Sequence, residues 1–324
     1  MSTVSDALDA LTDLQPDRAR ITADILHGLS QHPRQLPSKY FYDARGSQLF
    51  EQITRQPEYY PTRTELQLLQ QVSAEIARAV GPHLHVVELG SGSGRKTELL
   101  LHALADPVAY TPIEISRAAL LDSVARLAEA LPDIEMLPVC ADFTRPVTLP
   151  EPQREPARRL LFFPGSTLGN FAHDDAVALL DAMRQTMGPT GLALIGIDLH
   201  KDPALIEAAY NDTAGVTAAF TLNLLRRLNR EIGSDFDLDG FEHRARYSVP
   251  RLRIETELVS RCAQRVHVAG RAFDFADGEA MTVEYSHKYT DAAFGALIAE
   301  AGLRVRMQWN ADAPAFGLRL LERA

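Results

Sequence analysis

The chain is short of several things, and each shortage excludes a class. It has two cysteines in 324 residues, Cys140 and Cys262, too few and too distant for a disulfide framework. Two buried thiols in a reducing compartment are expected instead. No run of about 18 apolar residues occurs, so no membrane-spanning helix is predicted. The opening residues MSTVSDALDALTDLQPDR lack both a basic start and an unbroken apolar stretch, which argues against secretion and for a cytoplasmic protein. Basic residues are outnumbered: 33 Lys and Arg against 43 Asp and Glu give a net charge of −10. That is the wrong sign for a protein that grips nucleic acid through its phosphates. The ten histidines are scattered, and neither H-E-x-x-H nor C-x-x-C spacing occurs, so no metal site is predicted. Internal repeats and low-complexity linkers are missing too. What remains is 46% hydrophobic, enough for one large domain or two modest ones.

The most informative stretch is His85–Thr97, HVVELGSGSGRKT. A short apolar, β-branched run suits a buried parallel strand. Glu88 follows, then Gly90, Gly92 and Gly94 at alternate positions, then RKTELLLHAL with leucines spaced for a helix on a sheet. Strand, glycine turn and helix together form the entry unit of nucleotide-binding α/β folds, because glycine lets backbone approach a ligand closely. The dinucleotide fingerprint G-x-G-x-x-G fails: counted from Gly90, its last glycine would be residue 95, which is Arg95. The form E-x-G-x-G-x-G resembles instead the first motif of class I methyltransferases that use S-adenosylmethionine. A dinucleotide site and a plain tight turn stand as alternatives.

Around this stretch the pattern alternates. Strands are predicted at 85–89, 109–115, 135–140, 159–163 and 192–198, with helices near 95–105, 116–131 and 173–187, which argues for a doubly wound parallel sheet. Ahead of it, residues 1–35 carry leucines and isoleucines at helical spacing, and 64–80 form a helix stopped at Gly81-Pro82. Residues 36–65 are dense in aromatics, including Tyr40, Phe41, Tyr42, Phe50, Tyr59 and Tyr60. They dock the segment by packing, or form a lid in which Tyr42 or Tyr59 offers a ring and a hydroxyl to a pocket. Between Leu199 and Tyr289 the alternation stops in favour of one long helix and antiparallel strands, and a helix with two strands closes the chain. The expected division is an N-terminal segment 1–63 that joins a substrate domain, a methyltransferase core 64–199, an inserted α+β substrate-binding domain 200–289, and closing core elements 290–324.

In a doubly wound sheet ligands lie beyond the carboxyl ends of the strands. The second strand ends in Glu114, where a carboxylate can accept both hydroxyls of a ribose. The third ends at Asp142 and Phe143, an acid for the exocyclic amine of adenine and a ring to cover the base. The fourth ends in PGSTLGNF, which brings backbone amides and Asn170 to the rim. Each has a plainer reading, Glu114 as a surface acid and Asp142 as a turn cap. Their succession after a glycine turn favours an adenosyl ligand.

Several longer strings go further. FYDARGSQLFEQITRQPEYYPTRTE, VVELGSGSGRKT, FFPGSTLGNF, AAYNDTAGVTAAF, NREIGSDFDLDGFEH and EAMTVEYSHKY resemble the L-histidine Nα-methyltransferases of ergothioneine biosynthesis, from about residue 34 to the end. The resemblance implies a Rossmann-like class I fold with an inserted substrate domain, S-adenosylmethionine as cofactor, and three methyl transfers to the α-amine of histidine, giving N,N,N-trimethylhistidine (hercynine). By the same resemblance the cofactor site falls on Gly90, Lys96, Glu114, Asp142 and Phe143. The amino-acid site falls on Tyr59, Asn170, Tyr210, Glu284 and Ser286. Asn170 and Tyr210 would hold the substrate carboxylate, Glu284 and Ser286 the imidazole, and Phe50 and Tyr42 would line the same pocket. Neutral imidazole has one donor and one acceptor nitrogen, which a carboxylate and a hydroxyl can satisfy together. Tyr42 is the candidate catalytic group, taking the ammonium proton of histidine. A small-molecule amino-acid substrate, no nucleic acid or membrane partner and a monomer are expected.

Two departures from the family pattern stand out. RIET replaces the usual R-I-E-M, which puts Thr256 beside the expected pocket, and Ile115-Ser116 follow Glu114 where a second acid is common. Thr256 leaves open another α-amino acid, such as tryptophan, as acceptor, and a non-catalytic module that binds S-adenosylmethionine is the alternative from another class.

Overall fold

The computed structural model describes residues 4–324. The chain forms two compact units: one of residues up to Gln15, Pro61–His200 and Lys288–Ala324, the other of Pro16–Tyr60 and Lys201–His287. The first unit is built on a nine-stranded sheet. Across it lie Thr12–Leu14, Val139–Ala141, Ala109–Glu114, Leu84–Leu89, Arg158–Phe163, Leu192–Asp198, Ala315–Arg323 and Leu303–Asp312, with Glu135–Met136 beside Ala109–Glu114. Pairing is parallel as far as Leu192–Asp198, and the last two strands are antiparallel.

Residues of the central strands alternate between two cores. Val86, Leu160 and Leu194 face one with the helices Arg95–Ala103 and Arg117–Ala130, while Val87, Leu161 and Ile195 face the other with His173–Met187 and Asp291–Glu300. A sheet covered on both faces has continuous apolar strands, and each fully buried valine or leucine contributes about 1.5–3 kcal/mol. From Leu84–Leu89 the chain builds outward to one side, then returns to Arg158–Phe163 on the other. The reversal of strand order therefore falls between those two strands, where open α/β sheets bind ligands.

The strand expected over 135–140 exists as two pieces, Glu135–Met136 and Val139–Ala141. Pro138 between them has no N–H to give the ladder. The N-terminal boundary also differs from the expected one. Residues 4–15 lie in the sheet unit, because Thr12–Leu14 pairs in parallel with Val139–Ala141 and Thr12 N–H donates to the Pro138 carbonyl at 3.0 Å. Three residues reading TDL carry no apolar alternation from which a strand is predicted.

The second unit has a four-stranded sheet in the order Arg34–Gln35, Ala280–His287, Arg253–Ser260, Phe241–Ser248, and a hairpin of Gln264–Val268 with Arg271–Phe275. Its longest helix, Val216–Ile232, begins where the Asp212 carboxylate accepts the Val216 and Thr217 amides, each at 2.7 Å. Phe220, Leu224, Leu228 and Ile232 repeat along one side of it and share a core with Phe41, Leu49 and Ile53 from the N-terminal segment. Of the thiols, Cys140 is buried as expected but Cys262 is exposed, since it falls on the turn that leaves strand Arg253–Ser260. Among the described residues no helix is long and apolar enough to cross a membrane, and no cluster of His, Cys, Asp or Glu could hold a metal ion.

Candidate functional site

In the sheet unit, the turn after Leu84–Leu89 carries Gly90, Gly92 and Gly94 at φ of 72°, 50° and 67°, where a side chain is strained. Phe143 lies over this turn: a Cβ added at Gly90 would sit 3.5 Å from its Cε1. The ring is held edge-on to Phe163 and Phe171, with centroids 5.6 and 6.3 Å away. Glu114 is buried rather than a surface acid. One of its oxygens accepts the Gly92 amide at 3.1 Å and the other the Ser116 amide at 3.0 Å. Burial holds this carboxyl above its ordinary value, against the pull of those N–H donors. Asp142 has the expected cap geometry, with Oδ1 accepting both the amide and the hydroxyl of Thr144 at 3.0 and 2.6 Å. Gly90, Glu114 and Phe143 are thus brought to one turn, Glu114 by its bond to Gly92 and Phe143 by contact.

Two further acids lie near this turn; sequence reading notes Glu88 only as the acid of the glycine motif and does not single out Glu65. Glu88, in the strand itself, accepts the Thr97 and Tyr110 hydroxyls at 2.5 Å each, and burial pushes its carboxyl up from 4.5 to about 8. It ties strand, neighbouring strand and following helix together behind the glycines. Glu65, wholly buried, forms an ion pair with Lys96 and accepts the Gly165 amide. A signal for Glu65 exists: it occupies the position of the helix face that continues with Leu68, Leu69, Val72 and Ile76. Asn170 ends the short helix Thr167–Asn170, where the Ser166 hydroxyl accepts the Asp198 amide at 2.9 Å and the Thr167 hydroxyl donates to the Pro164 carbonyl at 2.8 Å.

In the second unit, aromatic side chains form a chain of contacts. Phe220 meets Tyr42, Tyr42 meets Phe50, Phe50 meets Tyr59 and Tyr59 meets Tyr210, with ring centroids 5.6 to 6.4 Å apart. The Tyr210 and Ser286 hydroxyls are hydrogen-bonded at 2.7 Å. Resemblance assigns these two to opposite ends of the substrate, yet here they are partners. One donates to the other, so one of their two O–H protons is spent within the pair. Glu284 lies two residues from Ser286 along the same strand and is paired in register with Thr256; Ser286 is paired with Ile254. Glu284, Ser286 and Thr256 therefore share one face of the sheet. Thr256 is buried and its hydroxyl makes no hydrogen bond. Sequence reasoning also misses His243: its Nδ1 meets the Thr221 hydroxyl and its Nε2 the Tyr210 carbonyl, both at 3.0 Å, and burial lowers its pKa. No local sequence pattern links His243 to Tyr210, 33 residues away.

A family model described as a histidine-specific, SAM-dependent methyltransferase matches residues 21–323. The chain is 44% identical over 306 residues to a histidine N-alpha-methyltransferase of Mycolicibacterium smegmatis, covering 93% of this chain and 94% of that one. It is 41% identical over 302 residues to a protein of the same name from Mycobacterium tuberculosis, covering 92% and 93%. It is 30% identical over 310 residues to ergothioneine biosynthesis protein 1 of Neurospora crassa, covering 90% of this chain and 33% of the fungal protein.

Proposed function

Because the chain belongs to the histidine-specific, S-adenosylmethionine-dependent methyltransferases, we propose that it trimethylates the α-amine of L-histidine, the entry reaction of ergothioneine biosynthesis. The observation that carries the substrate is the polar face of the inserted sheet, Glu284 beside the 2.7 Å hydroxyl pair of Tyr210 and Ser286. A carboxylate and a hydroxyl offer an acceptor and a donor to the two nitrogens of a neutral imidazole. A donor-bearing ring therefore suits this carboxylate better than an apolar one. Asn170, Tyr210 and Tyr59 are proposed, on resemblance, to hold the amino-acid backbone.

The residues around the glycine turn fit the cofactor. Gly90 keeps clear the space under Phe143 that a Cβ would enter, and Glu114 stands at the end of the neighbouring strand with both oxygens oriented by backbone amides. Glu114 takes the ribose hydroxyls, Asp142 and Phe143 take the adenine, and Lys96 and the Gly90 backbone take the amino-acid end. S-adenosylmethionine supplies a methyl group already activated on a sulfonium, so no covalent enzyme intermediate is required. The protein's work would be orientation, presenting the amine nitrogen to that methyl. Free histidine arrives as an ammonium ion, and the proton must leave before the nitrogen can attack. The Tyr42 hydroxyl is the proposed relay for that proton, taking it up as its own O–H proton passes on to water.

Incubation of the protein with S-adenosylmethionine and histidine, followed by mass analysis for one, two and three added methyl groups, tests the reading. Trimethylhistidine is expected, and no transfer to histidine refutes it. Thr256, paired with Glu284 where the family pattern has methionine, keeps a second acceptor open. A panel of amino acids titrated in the presence of S-adenosylhomocysteine decides between them: tighter binding of tryptophan than of histidine would establish the larger ring.

A further inference from the structure

Glu65 lies at the point where the strand order of the sheet reverses. Its carboxylate is completely buried and is met from three directions. Lys96, the second residue of the helix after the glycine turn, pairs with it. The Gly165 amide, on the turn after Arg158–Phe163, donates to its two oxygens at 3.0 and 2.9 Å. From Leu192–Asp198, Gly196 leaves the notch in which it sits: a Cβ there would overlap Glu65 Oε1. A buried carboxylate needs such compensation. The pair is asymmetric, because the Glu65 side chain has no exposure while Lys96 keeps 17% of its own. Of the two, the Lys96 side chain is the one that reaches the surface.

We propose that Glu65 is a positioning residue for the cofactor's amino-acid end, acting through Lys96. An unanchored lysine at the start of a surface helix samples many rotamers and extends into water. Glu65 draws the Lys96 ammonium across the carboxyl end of Leu84–Leu89 toward Gly165, and fixes that turn by the same carboxylate. The remaining N–H bonds of Lys96 are then presented at the strand ends, where a carboxylate-bearing ligand lies. This inference rests on the reading that Lys96 meets the cofactor, and adds the group that aims it.

A double-mutant cycle read by S-adenosylhomocysteine affinity tests it, with titration calorimetry on the full chain and no acceptor present. Glu65→Gln keeps the size and an acceptor for the Gly165 amide, and removes the charge that holds Lys96. Its Kd for S-adenosylhomocysteine should rise on the order of tenfold in the native background and not further in a Lys96→Gln background, because the two act as one unit. Equal losses in both backgrounds, or none in either, would overturn the proposal. If Glu65→Gln does not fold, Glu65→Asp in the same cycle is judged by the same outcomes. Binding of S-adenosylhomocysteine is independent of the methyl acceptor. Absent transfer to histidine with an intact Glu65–Lys96 coupling therefore refutes the substrate and spares this inference.

Discussion

Replacing Glu88 by glutamine should remove a loss of stability that the protein suffers as pH rises. The Glu88 carboxyl is buried behind the glycine turn between two hydroxyls, each 2.5 Å away. Burial raises it from 4.5 to about 8, the hydroxyls opposing the shift without cancelling it. In the unfolded chain it releases its proton near 4.5. Between those values the folded state holds a proton that the unfolded state has lost, so this contribution to stability is whole below about 4.5 and falls as pH climbs toward 8. One unit of difference corresponds to about 1.4 kcal/mol, so the loss between pH 6 and pH 8 is about 2 kcal/mol. Glutamine has no proton to release, and its amide oxygen can accept from both hydroxyls as Oε2 does. Urea unfolding of both proteins at pH 6 and pH 8 is the assay. Any other group that titrates in this window is common to both proteins, and its effect cancels in the difference. The native protein should lose about 2 kcal/mol more than Glu88→Gln across the two pH values. Equal pH dependence would mean that Glu88 is ionised in the fold and that the burial argument is wrong.

Other consequences are open to measurement at the proposed sites. Glu284→Gln should weaken histidine binding roughly 10- to 100-fold, the scale of a hydrogen bond to a charged group; unchanged histidine affinity in the presence of S-adenosylhomocysteine would remove Glu284 from the imidazole. Tyr210→Phe takes away the 2.7 Å partner of Ser286 and should raise KM for histidine roughly 10- to 100-fold, the scale of a hydrogen bond to a charged carboxylate. S-adenosylhomocysteine binding is expected to stay as it was, and a loss there would place Tyr210 in another role. Gly90→Ala puts a methyl group at φ 72° and 3.5 Å from Phe143, so cofactor affinity should drop about tenfold, which equilibrium titration reads directly. Tyr42→Phe should shift the pH profile of kcat to the alkaline side, whereas turnover unaltered across pH would leave the ring a purely packing part.

Much of the sheet unit can be read from local pattern, and the physical reason is coverage. Strands buried on both faces are forced into runs such as LALIGID and RLLFF, so period and length alone find them. The same logic fails where burial does not set composition. Thr12–Leu14 is an edge strand with two exposed residues, and its membership of the sheet depends on backbone bonds to residues more than a hundred positions away. Pro138 divides a strand that hydrophobicity alone would make continuous. The α+β character of 200–289 follows from alternation in strands such as RIETELVS, but the bulge between Thr256 and Glu257, which shifts the register beside Glu284, has no marker in that alternation.

Within the site, legibility divides by how many bonds a residue's role requires. Gly90 and Phe143 belong to short-range patterns, glycines at alternate positions and an aromatic after an acid at a strand end, and both are found in contact. Glu65 is the opposite case. Its helix position is apolar by period, and the sequence shows only an acid out of place there. What makes that acid tolerable is distributed over Lys96, Gly165 and Gly196, on three other elements. Gly196 in particular has the sequence signature of a weak strand position, yet its missing side chain is the room in which a buried carboxylate sits. A charge in an apolar stripe is therefore informative in its own right, because the fold must supply its partners at some cost, and the place where they converge is where a ligand's own charge can be met.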